Sequence, residues 1–166
     1  MAEIPEPEAD RTAVVTRRMK VPARHLFAAH AKAEHIKRWF GPVGWPVTEC
    51  DYDFRVGGRW RMRMTGPDGV KGPPFGGTFL EIVPDRRIVY TDGFEDGKGG
   101  DMNLRHAGGQ ITFTTTFEEE GDETVVTVSV LFSSVAMKEE FLGVGMLEGL
   151  ASGLDQWEGA ARELAG

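Results

Sequence analysis

Residues 136–165 read AMKEEFLGVGMLEGLASGLDQWEGAARELA, a stretch without proline in which helix formers dominate. Leu150, Leu154, Trp157, Ala161 and Leu164 recur at alternating spacings of four and three, the signature of one apolar stripe on an α-helix. At 3.6 residues per turn the segment makes about eight turns, with Ser133 and Ser134 placed to cap its N-terminus. A lone amphipathic helix of that length needs a hydrophobic partner, and the preceding sequence offers one large candidate.

That candidate is a sheet. The run Thr12–Lys20, with Val14, Val15 and Thr16, reads as a first strand stopped by Pro22. ARHLFAAHAKAEHIKRWF then gives a short helical pair, broken near Ala33 and Glu34 and ended at Gly41-Pro42. Strands follow at 46–54, 59–65, 75–83, 87–91, 109–118 and 124–132, each bounded by Gly, Pro or Asp clusters. Turns this short cannot carry parallel crossovers, so the sheet is expected to be an antiparallel meander of six or seven strands. The fold class is α+β, a curved sheet wrapped round the C-terminal helix, over residues 12–166. Residues 1–11, with two prolines and four acids, read as a flexible tail.

Composition narrows the function. Nineteen basic against 26 acidic residues leave a net charge of −7, which disfavours nucleic acid and anionic membrane surfaces as partners. Cys50 is the sole cysteine, so no intramolecular disulfide forms, and a reducing, cytoplasmic setting is expected. The N-terminal MAEIPEPEAD is acidic where a signal peptide would be basic, and no stretch reaches the length of a membrane span.

Residues able to carry chemistry are few. His25, His30 and His35 stand five apart, which sets successive rings about 140° apart on a helix and argues against metal; no metal and no cofactor are expected. His25 and His30 read as exposed or partly packed. His106 lies in the polar loop DGKGGDMNLRHAGG, placed to cover a cavity mouth, and is a weak catalytic candidate. Glu81 and Glu148 interrupt otherwise apolar stretches and are weak candidates as buried groups poised by desolvation, edge or surface placement being the preferred reading for each. No phosphate loop, nucleophile elbow or zinc-protease motif is present.

Alternation assigns the interior. Trp60, Met62 and Met64 share one strand face opposite Arg59, Arg61 and Arg63; Phe79, with Glu81 two residues on, and Ile111, Phe113 and Phe117 belong to other inner faces. Phe40, Met146, Leu150 and Trp157 face them from the helices. These eleven apolar residues are the expected cavity lining, with plain core packing as the alternative for each. Glycines 143, 145, 149 and 153 thin one side of the long helix, making room for sheet or ligand.

Val21-Pro22-Ala23 followed by Phe27, Trp39-Phe40-Gly41-Pro42, Gly57-Gly58-Arg59-Trp60, Pro67-Asp68-Gly69, Glu81-Ile82-Val83, Gly93-Phe94 and Gly145-Met146-x-Glu148-Gly149 together form a pattern. From about residue 12 onward the chain resembles the activator-of-heat-shock-protein-90-ATPase homologue family, of the START-like (SRPBCC) superfamily, in its bacterial single-domain form. The resemblance implies the helix-grip fold and a central apolar cavity between sheet and helix. It does not imply chaperone activation, since nothing here looks like the chaperone-gripping domain of the eukaryotic protein. The function expected is binding of a small hydrophobic or aromatic molecule. Two alternatives stand beside it: a cyclase- or aromatase-like enzyme using the same cavity, and a protein-interaction module anchored by exposed Trp39 and Trp45; a homodimer through an edge strand or the helical pair is a further option.

Overall fold

A computed structural model describes residues 6–166. Seven strands, β1 (Thr12–Met19), β2 (Val47–Tyr52), β3 (Arg59–Met64), β4 (Phe75–Val83), β5 (Arg87–Asp92), β6 (Ile111–Glu120) and β7 (Glu123–Leu131), form one sheet. Its order is β1-β7-β6-β5-β4-β3-β2, antiparallel throughout. Strands β2 to β7 form a meander in which sequence neighbours are sheet neighbours, even across the longer connection 93–110 between β5 and β6. The excursion from β1 at one edge to β2 at the other carries helices α1 (Ala23–Ala31) and α2 (Ala33–Ile36) across the sheet.

The C-terminal segment is two helices, α3 (Val135–Gly143) and α4 (Met146–Ala165), where the sequence suggested one. Gly145 sits between them at φ +90°, a conformation that side-chain-bearing residues adopt only under strain. The Gly143-Val144-Gly145 spacing, which reads as merely thinning a helix, therefore ends one and turns the chain into the next. Ser134 caps α3, its hydroxyl accepting from the Met137 amide at 3.0 Å, whereas the Ser133 hydroxyl donates to the Gln110 carbonyl.

Helix α4 lies in the sheet's concavity and is fastened at both flanks. The Trp157 indole N–H donates to the Leu26 carbonyl of α1 at 3.0 Å, and Arg17 of β1 pairs with Asp155. The Lys20 amide donates to Glu158, and Arg38 pairs with Glu163. Trp157, Phe79, Phe132, Met19, Leu26 and Met62 are among the largest of the fully buried side chains. Glu8–Arg11, within the segment that reads as tail, forms a single 3-10 turn; Arg11 donates to the Phe132 carbonyl at 2.7 Å, and Glu6 accepts from the Val135 amide. Residues 1–5 of that segment lie outside the described residues.

Two departures from simple alternation matter for the site. In β4 the partners jump from Phe79↔Tyr90 to Glu81↔Val89, so Leu80 is an inserted residue. The bulge turns Glu81 to solvent, where it pairs with Arg87 at 3.1 Å, and brings Ile82 inward instead. In α1 His30, expected at or near the surface, is 4% exposed. It shares its face with Leu26 four residues earlier, and that face packs on Trp39, Tyr90 and Trp157.

Candidate functional site

Between the concave sheet face and α4 the side chains leave a cavity of about 300 Å³. Met64, Phe75, Ile111, Phe113 and Val128 form its sheet wall, and Trp39 and Phe40 close one end. From the opposite side come Phe141 of α3 and Met146, Leu150, Leu154 and Trp157 of α4. Gly149 and Gly153 also line it, and the space exists because they have no side chains. A Cβ built at Gly149 meets nothing within 4 Å, and one at Gly153 meets only the Gly41 backbone at 3.7 Å. Gly145 lines the cavity as well, whereas Gly143 does not.

Of the residues assigned to a lining from sequence, Phe40, Met64, Ile111, Phe113, Met146, Leu150 and Trp157 reach the cavity. Trp60, Met62 and Phe79 do not. They border a separate gap of about 10 Å³ deeper in the core, too small for a ligand, because β3 and β4 pack tightly there and Trp60 is tied to the Thr91 carbonyl at 3.1 Å. Phe117 does not reach the cavity and sits edge-on to Trp157 at 5.7 Å.

The three weak catalytic candidates all face away. Glu81 is turned out by the bulge, and Glu148 is exposed on α4. His106 is on the outside of the β5–β6 connection, its Nδ1 bonded to Glu140 of α3 at 2.5 Å. Glu140 also accepts from the Arg105 amide. The His106 bond holds the Glu140 carboxyl below the usual carboxylate range, helped by backbone amides of Arg105 and His106. The pair is thus a tie between the connection and α3. Beneath it Leu104 and Ala107 are buried, and Ala107 reaches the cavity.

The tryptophans proposed as docking anchors are occupied internally. Trp39 is 6% exposed, stacks on Trp157 at 5.0 Å and donates to the Ala29 carbonyl. Trp45 is half-buried and lies over Gly66, where a Cβ would come within 2.5 Å of its ring.

Polar groups reach the cavity that sequence reading did not single out. Asp92 ends β5, on the same face as Ile88 and Tyr90. Its Oδ1 accepts from the Gly93 amide at 2.7 Å. Burial raises its carboxyl from 3.8 to about 7, and the Gly93 N–H only partly opposes this. The alternation Ile88-Tyr90-Asp92 was the available signal, hidden because Asp at a strand end usually marks a turn. Because the folded pKa is raised, the neutral acid stabilises the fold fully below pH 4, and that stability is lost as pH rises to about 7. Asp92→Asn is therefore expected to flatten this part of the pH–stability curve and to gain about 1–3 kcal/mol over wild type at pH 8 in urea melts, with little difference at pH 4. His30 contributes with opposite sign in both proteins: its pKa is lowered from 6.5 to about 4, so its share is lost as pH falls through that range.

His30 is held in one tautomer. The Tyr52 hydroxyl donates its hydrogen to the His30 carbonyl at 2.6 Å, so at 2.9 Å from Nδ1 it can only accept. The ring hydrogen is therefore on Nδ1 and Nε2 is a bare acceptor. Burial lowers the imidazole's pKa to about 4 and keeps it neutral near pH 7. Among the described residues no group of three or more His, Cys, Asp or Glu is arranged to hold a metal, and no helix is long and apolar enough to cross a membrane.

A seven-stranded antiparallel sheet gripping a C-terminal helix, with two short helices after the first strand, is the helix-grip, START-like architecture. Residues 20–160 match the family described as Activator of Hsp90 ATPase homolog 1-like protein, and the chain belongs to it. Its fold is shared by a protein from Nitrosomonas europaea, 23% identical with a TM-score of 0.80, the alignment covering 96% of this chain and 99% of that one. A solution structure from Arthrobacter aurescens is 24% identical with a TM-score of 0.81, over 97% and 91% of the two chains. Protein Ms6760 from Mycobacterium smegmatis is 25% identical with a TM-score of 0.76, over 95% and 94%. No curated protein matches the chain.

Proposed function

We propose that this protein binds one compact apolar or aromatic molecule in the cavity between its sheet and α4. The observation that carries this reading is the cavity itself, about 300 Å³ walled by aromatic and aliphatic side chains and kept open by Gly149 and Gly153. Ordinary packing would fill such a volume, and its size falls at the lower end of the range for small-molecule sites, about 300–1,000 Å³. Affinity comes from burying apolar ligand surface, with a few polar groups fixing orientation. A two-chain lipid is too large for it.

Thermal unfolding with 2-methylnaphthalene tests the reading. The midpoint is expected to rise with ligand concentration, as it must for a molecule that binds only the native state. Flat midpoints with this probe and with its hydroxyl analogue 2-naphthol up to their solubility limits, with no co-purified small-molecule mass in a native mass spectrum, would overturn it.

One observation favours a second reading. Asp92 is a carboxyl poised near neutrality inside the cavity, suited to moving a proton on an enclosed carbonyl compound in cyclase-like chemistry. Wild type that speeds exchange of the α-hydrogens of 2-tetralone with deuterated solvent, where Asp92→Asn does not, would establish it; equal rates would dismiss it.

A further inference from the structure

The cavity wall is apolar except for a few side chains, His30 and Tyr90 among them. His30 is 4% exposed and Tyr90 8%, and their rings are 6.0 Å apart. Neither His30 Nε2 nor the Tyr90 hydroxyl has a hydrogen-bond partner among the described residues. No enclosed polar side-chain atom is left unpaired among the described residues, so these two atoms open onto accessible space, and an occupant that displaces water from them is selected by whether it replaces the lost hydrogen bonds. The Tyr52 contact fixes what His30 asks for: Nδ1 holds the only ring hydrogen, and Nε2 can only accept.

Charge restricts the class further. Among the described residues no lysine or arginine lines the cavity, whereas Asp92 does. An anionic headgroup placed there would lose its hydration without gaining a counter-charge and would meet a carboxylate at high pH. Aromatic rings surround His30 on many sides, with Trp39 at 5.7 Å, Phe54 at 5.8 Å and Trp157 at 5.8 Å between centroids, so a flat ring is the shape that continues this packing.

We propose that the cavity selects a neutral hydroxylated aromatic, of the phenol or naphthol class, whose hydroxyl donates to His30 Nε2, with the Tyr90 hydroxyl as a second polar contact on the same flank. This rests on the cavity being a ligand site and assigns to His30 the discrimination among apolar molecules that fit.

The test compares 2-naphthol with 2-methylnaphthalene, which differ by hydroxyl against methyl, by calorimetric titration. Wild type is expected to bind 2-naphthol at least about tenfold more tightly, although the methyl compound is the more apolar, because a site built for a hydroxyl penalises its absence. In His30→Phe the methyl compound is expected to keep its affinity while 2-naphthol falls to parity or below. Equal affinities in wild type, or an unchanged preference in His30→Phe, overturn the assignment while leaving the cavity a ligand site; binding of neither compound overturns both. Should His30→Phe not fold, 2-naphthoic acid on wild type serves instead: at pH 7.5 it is expected to bind at least about tenfold more weakly than 2-naphthol, and equal binding would overturn the inference.

Discussion

Gly149→Phe is expected to abolish uptake of 2-methylnaphthalene while leaving the protein folded and somewhat more stable. Position 149 is inside α4, has ordinary helical backbone and lines the cavity, with nothing within 4 Å of a built Cβ. A helical side chain leans toward the N-terminus, which here aims the ring over Met146 and Phe141, into the space the ligand would use. Replacing an interior helical glycine removes a backbone cost of up to about 1 kcal/mol, and burying the ring adds part of the ~1.5–3 kcal/mol that a fully buried side chain contributes. A rise of a few degrees in melting temperature, together with loss of the ligand-induced shift, is the expected pair of results. Unchanged ligand affinity in a well-folded Gly149→Phe protein would contradict the cavity as the binding site.

Trp157→Ala carries the largest expected loss of stability, about 3–5 kcal/mol in urea denaturation. The side chain is 2% exposed, stacks on Trp39 at 5.0 Å and an interplanar angle of 15°, and meets Phe117 edge-on. Its N–H binds the Leu26 carbonyl, which joins α4 to α1. Truncation removes a large buried area and enlarges a cavity already open on that side, where collapse is limited. Trp157→Phe keeps most of the ring and loses the hydrogen bond, so about 1–2 kcal/mol is expected. A loss under 1 kcal/mol for Trp157→Ala would mean that α4 is not held as described.

Much of this architecture was legible because the chain's two periodicities are clean. The four-three recurrence from Leu150 to Leu164 located α4, and the alternation of Trp60, Met62 and Met64 located β3 and its inner face. What alternation could not show were the points where it is interrupted. The inserted Leu80 interrupts the alternation that would put Glu81 on the face of Phe79, and the left-handed Gly145 divided one expected helix into two. Nor could strand-by-strand reading tell core from cavity: Met62 and Met64 share a face, yet Met62 is sealed within the core while Met64 borders the space that α4 leaves open. That distinction depends on the distance between sheet and helix. His30 reads as exposed or partly packed and Asp92 passes unremarked for a related reason, since a histidine in a helix and an aspartate at a strand end have common surface roles, and only the packing around them removes those.

The central claim is that a small molecule sits between the sheet and α4, and methyl-resolved NMR of the protein titrated with 2-methylnaphthalene tests it most directly. Saturable shifts and ligand contacts confined to the methyls of Ile111, Val128, Met146 and Leu150 are the predicted result, with the exposed Val14, Val43 and Leu80 unmoved. Shifts at those exposed methyls alone, or none at any methyl, would contradict it.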